Sequence, residues 1–75
     1  MAMLIINEEL IQDCISLAKI EILIEILWCI YKEVEMGNTV VLAVFFKNST
    51  PFPLREIRNM KSFLKWLKRY QEQLS

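Results

Sequence analysis

Histidine is absent from this 75-residue chain, glycine occurs once, and cysteine and proline occur twice each. Each scarcity excludes something. Without histidine the commonest general base is missing, and a zinc site loses its usual nitrogen ligand. One glycine leaves no glycine-rich loop to cradle a phosphate. Two cysteines, Cys14 and Cys29, are too few for a disulfide framework. On one straight helix they would stand about 22 Å apart, beyond disulfide reach. The reading is two buried, reduced thiols, which fits a reducing, cytoplasmic setting. The opening MAMLIINEE has no basic n-region, so no signal peptide is expected. The apolar run from Cys14 to Tyr31 is interrupted by Lys19, Glu21 and Glu25, each costly at a bilayer centre, which argues against a transmembrane helix.

No enzyme is expected from these residues. Glu21 and Glu25, one helical turn apart, and Glu33 with Glu35 read as exposed acids and not as catalytic pairs. Cys29 has apolar neighbours and no histidine to activate it. No catalytic residue, cofactor or metal is assigned.

Apolar residues, by contrast, make up 55% of the chain. So short a chain forms one domain, residues 1–75, and leaves about 40% of its unfolded surface in water. The apolar surplus does not fit inside, and self-association is the simplest outlet.

Asn7 followed by Glu8 and Glu9 suits a helix start. From there to Met36 nothing punctuates the chain, and Gly37 then suits a left-handed helix end. This predicts one long N-terminal helix over residues 8–36, bent near Lys19 or gripped from both sides, because its apolar face switches sides there. A rival reading makes residues 20–36 a strand, since Ile20, Ile22, Ile24, Ile26, Trp28 and Ile30 alternate with polar positions. Gly37-Asn38 would then be a hairpin turn. The helix is favoured because no break separates Asp13 from Met36.

Thr39–Lys47, TVVLAVFFK, reads as a strand apolar on both faces. Its candidate partners are Met3–Ile6, residues 28–36 in the hairpin reading, or its own symmetry mate. Pairing with Met3–Ile6 makes a βαβ crossover, but a straight 29-residue helix spans about 43 Å against about 17 Å for the strand. The overshoot argues for a kink or a second subunit. NSTPFP, residues 48–53, reads as a linker whose prolines prevent regular pairing. From Leu54 a basic amphipathic C-terminal helix is expected, with Ile57, Met60, Phe63, Leu64, Leu67, Tyr70 and Leu74 as its stripe and Trp66 at the border. The fold class is therefore a small single α+β domain.

A net charge of zero conceals two unlike halves. Residues 1–46 carry seven acids against Lys19 and Lys32, and residues 47–75 carry seven cations against Glu56 and Glu72. In the helical reading Arg55, Arg58, Lys61, Lys65, Lys68 and Arg69 fall within about 140° of one another. That face is solvated surface, a complement to an acidic protein surface, a non-specific phosphate binder or a membrane-surface helix. The expected function is a small non-catalytic regulator or adaptor that self-associates and binds another protein. The alternative is a nucleic-acid-binding protein using those six cations. Val41, Ala43, Phe45, Ile22 and Ile26 are the expected oligomer interface.

Overall fold

The computed structural model describes residues 2–45 and 50–74, the last two of these as backbone only. Lys47, the start of the proline segment and the side chain of Leu74 thus lie outside the described residues. The elements run β1 (Met3–Asn7), α1 (Glu8–Ser16), α2 (Ile20–Glu35), β2 (Thr39–Val44), β3 (Phe52–Ile57) and α3 (Met60–Leu74). This is an α+β domain with three helices and a three-stranded sheet among the described residues. The sheet order is β1-β2-β3, with β1 parallel and β3 antiparallel to the central β2.

The expected strand at Met3–Ile6 is present as β1 and pairs with β2 from Met3–Thr39 to Asn7–Ala43. Asn7 ends it and caps α1, its Oδ1 accepting from the Glu9 N–H at 3.0 Å. Residues 20–35 are helix, and the strand reading is corrected.

The single long helix is also corrected: it is two helices, broken at residues 17–19, where the face switch allowed a bend. The break is a complete C-terminal cap. The N–H of Lys19 donates to the Cys14 carbonyl at 2.8 Å, and that of Ala18 to Ile15 at 3.3 Å. Ala18 takes the left-handed conformation, φ 53°. The same motif recurs at Gly37, φ 85°, with Asn38 donating to Glu33 and Gly37 to Val34. Such a cap satisfies carbonyls that a helix end leaves unpaired. With the helix folded into two, the crossover no longer overshoots β1, and the length argument for a second subunit lapses.

Left-handed backbone costs a residue other than glycine about 1–2 kcal/mol. Glycine loses more freedom on folding, by about 0.4–1 kcal/mol. Ala18→Gly is therefore expected to stabilise the fold by about 0.5–1 kcal/mol. The measurement is a higher urea midpoint at an unchanged slope.

The second correction falls on residues 52–59. Phe52–Ile57 form a strand, in spite of Pro53. The register slips between Leu42 and Ala43, which pair with Arg55 and Pro53 and leave Leu54 as a bulge. Proline is tolerated there because β3 is an edge strand and the ladder is already interrupted. Helix α3 begins at Met60 and not near Leu54. Asn59 starts it reciprocally: its Oδ1 accepts from the Ser62 N–H at 2.9 Å, and the Ser62 hydroxyl accepts from the Asn59 N–H at 3.2 Å. This is a capping box with serine in the usual glutamate position.

Strand alternation turns Val40 and Leu42 of β2, with Ile57 of β3, toward the helices. There they join Ile11, Cys14, Leu23, Ile30, Val34, Phe63, Trp66 and Tyr70 in one core. The opposite face, carrying Met3, Ile5, Val41, Ala43 and Pro53, has none of the described helices over it. The molecule is correspondingly flat, 18 Å in its least dimension. Cys14 is buried as expected, but Cys29 is exposed, and both thiols are free. Trp66 is fully inside, not at a border, while Leu64 of the expected stripe is exposed.

Candidate functional site

Strand β1 lies between two apolar grooves. The first is on the bare sheet face, about 280 Å³, lined by Met3, Ile5, Val41, Ala43, Pro51, Pro53 and Glu56. The second, about 400 Å³, runs along the outer side of β1 beneath α2, where Leu10, Ile22, Ile26 and Cys29 line it and Glu25 is its one charged residue. Ile5 lines both. The exposure of Met3, Ile5, Leu10 and Ile22 shows how much apolar surface gathers here, each with close to half or more of its surface in water.

The five residues expected at an oligomer interface divide between these grooves. Ile22 and Ile26 are in the edge groove, and Val41 and Ala43 floor the sheet-face groove. Phe45, at the end of β2, is exposed. Val41 and Ala43 are already buried within one chain. Strand β2 is paired on both sides, so it has no free edge for its own symmetry mate. Met3, Ile5, Leu10 and Cys29 were missed. The signal was available for two of them: once MLIIN is a strand, its first and third residues must share a face.

The six cations are not all on one helix. Arg55 and Arg58 are not on α3. Arg58 instead pairs with Glu56, its Nε donating to Glu56 Oε2 at 2.8 Å. Lys61 and Lys68 are exposed on α3. Arg55, Lys65 and Arg69 do come together, around a hollow of about 160 Å³ between β3 and α3 that Ser62 and Trp66 also line. Glu56 lines it too, but its carboxylate is engaged by Arg58.

Helices α1 and α3 are tied by a polar contact at Tyr70. Its hydroxyl donates to Glu8 Oε1 and accepts from Gln12 Nε2 at 3.2 Å. Burial, then the hydrogen bond and charge of Glu8, hold the Tyr70 phenol far above its ordinary range, against smaller opposing effects of Gln12 and Arg55. Glu8 Oε2 and Trp66 Nε1 are buried with no hydrogen-bond partner among the described residues. Such groups cost about 1–3 kcal/mol each.

Among the described residues no group of three or more His, Cys, Asp or Glu is placed to hold a metal ion. No helix among them is long and apolar enough to cross a membrane. Comparison with protein-family models, with curated proteins and with solved structures gives no match.

Proposed function

We propose that this chain is a small non-catalytic regulator or adaptor that self-associates and acts by binding another protein. The observation that carries the reading is the meeting of two apolar grooves at Ile5. Met3, Ile5, Leu10 and Ile22, four of the thirteen exposed large hydrophobic residues among those described, gather on one strand and its flanks, as at protein interfaces. The grooves converge on backbone and aliphatic side chains. Cys29 and Glu25 share the edge groove, but the rest of its lining is almost wholly aliphatic, and the reading takes the two as part of a docking surface and not as a catalytic pair. A cytoplasmic setting suits the two free thiols.

A second reading, nucleic-acid binding, rests on the hollow between β3 and α3. Three cations converge there without a free carboxylate, and the i, i+4 pair Lys65 and Arg69 repel each other. A phosphate would relieve that repulsion.

One experiment separates the two. Absolute mass is measured by light scattering on a gel-filtration column, at low and high salt, with and without a short DNA duplex and a structured RNA. The expected result is a mass of two or more chains, unchanged by nucleic acid. Co-elution at low salt that is lost at high salt, and abolished by Lys65→Glu with Arg69→Glu, would transfer the function to the second reading.

A further inference from the structure

The sheet has two free edges, and they are unlike. On β3 the bulge at Leu54, Pro53 and the charged Arg55 and Glu56 all oppose pairing with another strand. Residues 3–7, MLIIN, contain no proline, no charge and no bulge. They present a regular edge with which no strand among the described residues pairs.

Which backbone groups that edge offers follows from one hydrogen bond. The N–H of Thr39 donates to the Ala2 carbonyl at 3.4 Å. In an extended strand the N–H and C=O of one residue point to the same side, and successive residues alternate. Ala2, Leu4 and Ile6 therefore turn their backbone groups to β2, and Met3 and Ile5 turn theirs outward. Asn7 offers its N–H outward, while its carbonyl begins α1.

We propose that this edge pairs with the same edge of a second copy, antiparallel about a twofold axis at Ile5. The inference rests on the self-association argued above and assigns its atoms. Ile5 stands opposite Ile5 of the second copy and exchanges both backbone hydrogen bonds with it. Met3 stands opposite Asn7, and Leu4 opposite Ile6. The result is a six-stranded sheet whose two ends are the guarded β3 strands. Three observations point to a second copy and not a foreign strand. The edge strand is uncharged, so a self-complementary pairing sets no like charges opposite one another along β1, and Glu25 is the one charged residue lining the flanking groove. The twofold arrangement is closed, whereas β1 against β3 would be open-ended and would meet Pro53. The area also fits. The chain exposes 5529 Å², about 700 Å² more than the roughly 4,800 Å² usual for its 8.9 kDa mass. A standard interface covers about 800 Å² on each partner. Ile22 and Ile26 of α2, above the edge, and Met3 and Ile5 on the sheet face below would supply part of it, together with the backbone and neighbouring residues of the edge.

Two variants test the register. Ile5→Pro removes an N–H that makes no bond within the chain, so the circular dichroism spectrum and urea midpoint of the monomer should be kept. The dimer dissociation constant should rise by about 100-fold or more, from the loss of central hydrogen bonds and packing. Ile5→Cys in a Cys29→Ser background places two thiols across the axis, with Cα atoms about 5.5 Å apart, within disulfide reach. Mild oxidation should then give a covalent dimer, and a cysteine at Ile24 should not. A wild-type dimer that Ile5→Pro leaves intact, or that residue 5 fails to cross-link, overturns the β1 pairing while self-association stands. If Ile5→Pro does not fold, the cross-link alone decides. A wild-type monomer at about 100 μM, far above the dissociation constants of standard interfaces, overturns both the pairing and the self-association, and leaves the edge to a strand from a different protein.

Discussion

Replacing Trp66 by alanine is expected to remove about 3–5 kcal/mol of stability, the usual loss for a fully buried large aromatic. A 75-residue domain has about 4–11 kcal/mol in all, so the variant stands at the margin of folding. Trp66 is 2% exposed. It packs edge-on against Tyr70 at 4.8 Å and tilted against Phe63 at 6.0 Å. Phe63 meets Tyr31 of α2 at 6.4 Å, and Tyr31 stacks on Trp28 at 5.3 Å. This row of rings joins α3 to α2. Without Trp66, α3 keeps only Phe63 and Tyr70 as buried anchors among its described side chains. Urea unfolding followed by circular dichroism measures the loss. Fluorescence gives a second reading, because Trp28, 55% exposed, becomes the sole indole and should emit as a solvated one. A loss under about 1 kcal/mol would show that the row does not hold α3.

Tyr70→Phe should cost about 1–3 kcal/mol at neutral pH. Little volume changes, so the loss is that of the polar contact. Glu8 already has one buried oxygen without a partner, and the variant would strip the other of its donor. The same residue makes stability depend on alkaline pH. The folded chain holds the Tyr70 proton to a pH well above the value of about 10 at which an unfolded tyrosine loses it. Below pH 10 both states keep the proton, and the stabilisation is fully present. Above it the unfolded chain binds fewer protons, so stability falls by about 1.4 kcal/mol per pH unit until the buried phenol ionises. The gap between wild type and Tyr70→Phe should therefore narrow as pH rises past 10. It is measured by urea midpoints at a series of pH values. A gap that stays constant would mean that burial of Tyr70 does not restrain its proton.

What was legible in the sequence was what a single residue type announces. Gly37 marked a helix end because only glycine takes φ 85° without strain, and Asn7 marked a start because its side chain can cap. A β-branched run apolar on both faces, TVVLAV, marked β2. The break at Ala18 was hidden because alanine is the strongest helix former and rarely occupies a left-handed position. The start of α3 was hidden for a different reason. Ile57 belongs to β3, yet it lies three residues before Met60, so a strand residue facing the core continued the helical stripe into the wrong element. Asn59 with Ser62 was the overlooked signal. The cationic hollow could not be read along the chain. Arg55 reaches Lys65 and Arg69 by strand alternation and then by packing of α3 on β3, and a wheel drawn through residues 55–69 aligns the wrong six. Self-association was expected for the apolar surplus, but the strand chosen for it, β2, is the one whose edges are both occupied.

The parallel pairing of β1 with β2 also sets an order of assembly. Val44 finds Phe52 across eight residues, whereas Met3 must find Thr39 across thirty-six. Closing the longer loop costs more entropy, and it returns contacts only after α1 and α2 have folded back on themselves. The hairpin of β2 and β3 with α3 is therefore the early unit, and β1 completes the sheet last. Until it does, the inner edge of β2 is bare, and a β1 strand from a neighbouring chain fits there as well as the chain's own. Crowded refolding should then yield exchanged strands, a slow route to dimers distinct from the pairing of two finished molecules. Dilution before refolding suppresses the first and leaves the second to equilibrate.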